Sequence, residues 1–232
     1  MLLSIFQPEC MPWLGLIDKI RQADSIVFLD NVQFKKRYFE NRNKIKTKEG
    51  WLWLVVPVVT KGKFEQKINE VLIAPEPRWK HKFALSIERN YCKAPFWKDY
   101  GQKLLSVIDK EYEKLVDFNM SIIKFIMDCF ELKRSCIMAS ELNTSSKGSE
   151  LILEICKKMG TDNYLSGRDG RNYLDLSAFE KNNIAVRFQN FQHPIYKQIH
   201  EGFLPCMSSV DILFNCGAES LKIIEESQKN NL

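Results

Sequence analysis

The chain has 232 residues, 45% of them apolar and 27% charged, and a net charge of +5. That composition supports a sizeable core, and no apolar run approaches the roughly 18 residues a bilayer-spanning helix needs. Seven scattered cysteines with no CxxC pair exclude a disulfide framework and a zinc site, so the expectation is reduced thiols in a cytoplasmic protein without a secretory leader.

Leu2 to Phe6 reads as a buried strand that stops at Gln7-Pro8, because proline cannot donate to a sheet ladder. Residues 13, 16, 17 and 20 are apolar at helical spacing, with Pro12 suited to a first turn. A second strand, Ser25 to Leu29, ends in Asp30-Asn31, and residues 32–45 then form a polar loop. Lys35, Lys36, Arg37, Arg42, Lys44, Lys46 and Lys48 face only Glu40 and Glu49 there, a patch suited to phosphate-bearing ligands or to solvent. This is a βαβ unit, and open parallel sheets bind ligands where their strands end.

Trp51 to Val59 predicts a third strand bent at Pro57, and Ile68 to Ile73 a short edge strand. Trp79 to Tyr91 and Phe96 to Phe130 have helical periodicity, giving a helical insertion over roughly residues 78–132 within one domain covering 1–232. Cys136 to Ala139 reads as a strand. Ser145 or Ser146 is then the cap of a helix over 151–159, closed by Gly160. Ser146, Lys147, Gly148 and Ser149 at that helix start form an anion seat, although the Walker A spacing is absent. Asn163 to Ser166 is a strand running into Gly167-Arg168-Asp169-Gly170-Arg171, a loop whose backbone can approach a ligand or serve as a plain turn. Leu176 to Phe179 makes a helical turn and Ile184 to Phe188 a last strand. The irregular segment 188–198 leads to a helix capped by Ser208 or Ser209 and ended at Asn215-Cys216-Gly217. A final helix covers 218–227, with fraying from Lys229. The alternation predicts an α/β fold, a mostly parallel sheet with helices on both faces.

His193, held extended before Pro194 and crowded by Gln192, Tyr196 and Gln198, is the best-placed general base of the three histidines. His81 and His200 fit surface roles, and no HExxH or Cys/His cluster marks a metal site. Cys10 lies where a helix N-terminus could activate a thiol, though a passive small residue is the plainer reading. Asp30, Asp18 and Asp169 stand near strand or loop ends, and Asp18 suits a salt bridge. Phe34, Tyr38 and Phe39 interleave with cations as in a nucleic-acid surface, but the patch is short and the excess of cations modest.

Several motifs together resemble the WbqC-like proteins: Gln7-Pro8, Pro12-Trp13 and Gly15; Asp30, Val32-Gln33-Phe34, Lys36-Arg37 and Asn41-Arg42; Ser145 to Glu150; Tyr164 to Gly167; His193-Pro194, Tyr196 and Gln198; Asp211 to Asn215. Cys10 stands where the family commonly has an aromatic. The resemblance implies surface-polysaccharide (O-antigen) biosynthesis and transfer of glycine or a similar acyl group to a sugar, with no established catalytic residue. Placing the polar positions at strand ends gives a reading in which Lys36, Arg37 and Arg42 hold a diphosphate, with Ser146, Lys147 and Ser149 as a second anion seat. Gln7, Trp13, Gln33 and Asn41 line the sugar, Ser166 and Gly167 approach the ligand, and His193 is the base, assisted by Tyr196 and Asp30. The substrate is a nucleotide-activated amino sugar. The donor is left open between a CoA or acyl-carrier-protein thioester and an adenylate made from ATP and magnesium, and a homodimer is compatible. The rivals are an ATP-using ligase or nucleotidyl transferase and a non-catalytic sugar-nucleotide binding protein. A fainter likeness, to the opening of pantothenate synthetase, lacks that enzyme's His-x-Gly-His, replaced here by Pro12-Trp13-Leu14-Gly15.

Overall fold

A computed structural model describes residues 1–229. Five parallel strands form the central sheet in the order β5-β2-β1-β6-β7: β1 (Leu2–Phe6), β2 (Ser25–Phe28), β5 (Ser135–Met138), β6 (Asn163–Ser166) and β7 (Ala185–Phe188). β1 and β2 pair with Leu3 opposite Ser25 and Phe6 opposite Phe28. Both faces of these central strands are buried, which is why their sequences are apolar runs without alternation. Leu3, Ile5, Val27 and Tyr164 point into one core, under α5 (Gly148–Lys158) and α6 (Leu176–Lys181). Phe6, Ile26 and Phe28 point into a larger core on the opposite face. It is shared with α1 (Leu14–Gln22), α2 (Trp79–Tyr91), α3 (Trp97–Asp109), α4 (Leu115–Cys129), α7 (Ser209–Cys216) and α8 (Ser220–Lys229). The α/β class with helices on both faces is therefore as the alternation predicts.

Four local expectations are corrected. Trp51 to Val59 does not join the main sheet. The end of the supposed polar loop, from Arg42 on, belongs to β3 (Arg42–Thr47), which pairs antiparallel with β4 (Gly50–Val55) in a separate hairpin. Ile45 and Leu54 enter the large core while Trp51, Trp53 and Val55 lie on the other face, so the apolar run hides an alternating pattern. Ile68 to Ile73 holds a 3₁₀ turn at Ile68–Glu70, followed by single bridges from Leu72 to Lys114 and Ile73 to Val58. Neither Ser145 nor Ser146 caps α5. Lys147 occupies that position, and the Ser145 and Ser146 amides donate to the Glu154 carboxylate at 3.2 and 3.0 Å. The last helix starts at Ser220 after a 3₁₀ turn and includes Lys229; fraying beyond it concerns residues outside those described.

The irregular tail is fixed by buried polar bonds. Asp211 on α7 accepts from Tyr91 Oη (2.7 Å), Tyr196 Oη (2.8 Å) and Gln198 Nε2 (2.7 Å). Lys46 on β3 donates to the carbonyls of His200, Glu201 and Gly202.

Candidate active site at the switch point of the sheet

From β1 the chain moves through β2 to β5 on one side, then crosses to β6 and β7 on the other. The order reverses between β1 and β6, so the connections leave those strands in opposite directions and topology puts a crevice at their carboxyl ends, the usual ligand position in such sheets. Lys19 of α1 reaches into it. The side chain is 8% exposed, its Nζ donates to Ile5 O at 3.4 Å, and it lies 4.7 Å from the Phe6 ring centre. A Cβ added to Gly167, just past β6, would stand 4.0 Å from this Nζ, so the residue there bears directly on the amine's space. Glu9, in the loop between β1 and α1, has a buried Oε2 with no hydrogen-bond partner. Burial first, then the Glu40 charge, push its carboxyl up to about 8, against the pull of Lys19. Burial likewise brings the Lys19 ammonium down to about 8, opposed by Glu9. Glu40 is 2% exposed, its Oε2 also lacks a partner, and burial raises its carboxyl. Two carboxyls and one amine held away from their ordinary ranges at a switch point mark a candidate acid-base site.

The neighbours set limits on the chemistry. Cys10 is wholly buried, and burial followed by the Glu9 charge pushes its thiol up, so it stays protonated and is no nucleophile. The Tyr38 phenol is raised by partial burial and then by the charges of Glu9, Glu40 and Asp169. One backbone bond and one side-chain bond fix the loops that carry Glu9 and Glu40: Cys10 N donates to Phe39 O (2.9 Å) and Asn43 Nδ2 to Met11 O (2.7 Å). Buried Asn119 on α4 donates to both Pro8 O (2.9 Å) and Glu40 O (2.7 Å). Met11 and Arg37, neither a glycine, hold φ of 48° and 59°, so each loop carries a strained residue next to the crevice. Asn119→Ala removes two buried bonds and frees both carboxylate loops. It is expected to cost about 2 kcal/mol in urea unfolding.

The family model of the WbqC-like proteins matches residues 7–223. The chain belongs to the WbqC-like protein family. It is 30% identical over 219 residues to "Uncharacterized protein Rv1507c" of Mycobacterium tuberculosis (strain ATCC 25618 / H37Rv), covering 94% of each chain. No solved structure matches it. Among the described residues of this WbqC-like protein, no group of three or more His, Cys, Asp or Glu is placed to hold a metal. No helix among them is long and apolar enough to cross a membrane.

The residues singled out in the sequence fall into several places in the WbqC-like fold. Gly167 lies in the crevice. Ser166 faces the turn over 168–172, where a Cβ on Gly170 would collide with its Oγ. Gln7 is half-buried at the end of β1, and Arg37 is exposed beyond it. Asp30 clips β2 to β5, accepting from Ser140 N (2.8 Å), Ser140 Oγ (2.6 Å) and Asn69 Nδ2 (3.3 Å). It also borders a groove of about 830 Å³ shared with Glu70, Glu113 and Asp117. Gln33 and Lys36 turn toward the loop at 60–64, donating to Phe64 O (3.0 Å) and Thr60 O (3.4 Å). Asn41 donates to Val56 O, Arg42 stacks 4.2 Å from the Trp53 ring, and Trp13 packs edge-on to Phe191. Ser149 accepts from Asp175 N (2.9 Å), Ser146 bonds through its amide to Glu154, and Lys147 is exposed at the head of α5. His193 uses both ring nitrogens, Nδ1 toward Pro194 O (2.8 Å) and Nε2 accepting from Cys206 N (3.0 Å), and burial lowers its pKa. Tyr196 is committed to Asp211. Arg42, Lys147 and His193 share no hydrogen bond, ion pair or ring contact with one another among the described residues. Glu9 and Lys19 escaped sequence reasoning. The available signal was a single carboxylate inside Pro8-Glu9-Cys10-Met11-Pro12-Trp13, with one lysine on the apolar helix that follows.

Proposed function

We propose that this WbqC-like protein is a transferase that places an acyl or aminoacyl group on the amine of a nucleotide-activated sugar, in the crevice between β1 and β6. The observation that carries the reading is the meeting at the switch point of Glu9, whose buried Oε2 has no partner, with the buried Lys19 amine beside Gly167, burial raising the one and lowering the other. A base raised in this way is matched to an attacking amine near neutral pH. The sugar nitrogen attacks the donor carbonyl carbon, and Glu9 takes the nitrogen's proton as the new C–N bond forms. Lys19 donates to the oxygen that becomes negative. The C–S or C–O bond to the donor then breaks, and the leaving group departs with the proton from Glu9. Lys35 and Arg37, on the loop that carries Tyr38, supply positive charge for the diphosphate. Lys147 at the start of α5 remains the second anion seat. Substrates of this kind place the protein in the cytoplasm, and a CoA or acyl-carrier-protein thioester is the simplest donor.

The test is incubation with UDP- or dTDP-amino sugars and an acyl-CoA, or with glycine, ATP and magnesium, followed by mass measurement. A sugar nucleotide heavier by the acyl group supports the reading. Pyrophosphate release without sugar modification turns it toward an ATP-using ligase, and unchanged masses with tight nucleotide-sugar binding toward a binding protein. His193→Ala separates this site from the tail. With both ring nitrogens used structurally, its expected effect is a stability loss of about 1–2 kcal/mol, with turnover per folded molecule retained. A deep fall in turnover would return His193 to the reaction.

A further inference from the structure

The chain's positive charge is concentrated. Residues 33–67 hold ten lysines and arginines against three glutamates, with Lys46 and Glu40 both buried, so this stretch is strongly positive while the rest of the chain is slightly negative. The same stretch exposes large apolar side chains: Phe64 at 75%, Tyr38 at 49%, Trp51 at 48% and Val55 at 46%. Strand alternation places Arg42, Lys44, Trp51, Trp53 and Val55 on the face of the hairpin opposite Ile45 and Leu54, which enter the core. Each ring carries a cation. Lys35 lies 5.3 Å from Tyr38, Lys36 5.1 Å from Phe64, Lys44 4.4 Å from Trp51 and Arg42 4.2 Å from Trp53.

We propose that this face adsorbs reversibly onto an anionic lipid bilayer. Aromatic bodies and aliphatic stems suit the boundary between headgroups and acyl chains, while ammonium and guanidinium heads meet the phosphates. Charge complementarity selects an anionic surface, and each lysine close to it contributes about 1 kcal/mol. A nucleic acid would also meet positive charge and aromatic rings, but base stacking needs free ring faces. Here Lys44 and Arg42 lie over the rings of Trp51 and Trp53. The attachment is peripheral, and it places the crevice behind Tyr38 beside the bilayer.

The experiment uses the whole chain with vesicles of phosphatidylcholine and phosphatidylglycerol in equal parts, against phosphatidylcholine alone, without substrate. The expected result is sedimentation with the anionic vesicles, release by salt, and a blue shift of tryptophan emission that Trp51→Ala diminishes. Lys61→Ser and Lys63→Ser, in the exposed loop beside Phe64, should each weaken binding about fivefold. Phe64→Ala should weaken it with the charge intact, and these loop variants leave the hairpin unaltered. Equal binding to phosphatidylcholine alone, no effect of the loop variants, or tighter binding to a single-stranded oligonucleotide than to anionic vesicles would overturn the proposal. Because no substrate is present, the outcome stands apart from the transferase reading.

Discussion

Glu9→Gln is expected to lower turnover about a hundredfold or more while nucleotide-sugar affinity stays nearly unchanged, because the amide keeps the shape and loses the proton acceptor. The readouts are kcat from product mass and binding by calorimetry; full turnover in the glutamine variant would remove Glu9 from the chemistry. The same substitution should alter stability with a definite sign. Free glutamate titrates at 4.5 and Glu9 in the fold at about 8, so between those values the folded chain binds the extra proton. Stability attributable to Glu9 is complete below pH 4.5 and is lost as pH rises through about 8. Lys19 acts in the opposite sense. Its ammonium falls from 10.5 to about 8 on folding, so its penalty is full below about 8 and is relieved toward 10.5. Wild type should therefore be weakest near pH 8. Glu9→Gln should remove the acid limb, gaining on the order of 1–3 kcal/mol at about pH 9 and nothing at about pH 4. Urea titrations across that range check both limbs. A glutamine variant that loses stability throughout would show that Glu9 serves the fold.

Asp211→Ala should produce the largest loss of stability, about 3–5 kcal/mol, which for a chain of this size lowers Tm by about 10 °C. Alanine would leave the hydroxyls of Tyr91 and Tyr196 and the amide of Gln198 buried without their acceptor. Tyr91 also accepts from Lys46 N (3.0 Å), so the damage reaches β3. Asp211→Asn keeps an acceptor and should lose less. Calorimetry of the two variants checks the order, and an alanine variant as stable as wild type would show that the three donors find other partners.

The parallel sheet was legible because its strands are short apolar runs bounded by Pro8, Asp30 and Gly167, and α2 because its aromatic residues recur at helical spacing. The hairpin was not. Trp51 and Trp53 are apolar yet lie outward under cations, so the run read as one strand to Val59 with no sign of its hairpin partner at Arg42–Thr47. Convergence at the strand ends could be foreseen from order alone, and Gly167, singled out on that ground, lies beside Lys19 just past β6. Glu9 and Lys19 could not, since a lone charge in an apolar stretch gains its meaning only when topology brings the two together. The polar-aromatic run from His193 to Gln198 has the composition of a reaction centre, but its groups are spent on Asp211, Pro194, Leu204 and Cys206.

Asn119 also bears on how such a molecule could be remodelled. Its amide belongs to the helical segment inserted between β4 and β5, yet its two acceptors are in loops outside that segment. Deleting the helices to make a minimal sheet, or grafting in a foreign bundle, would therefore cast adrift the loops that hold Glu9 and Glu40. A shortened chain that kept its strands would have to reproduce that one side-chain amide before those loops could return to their places.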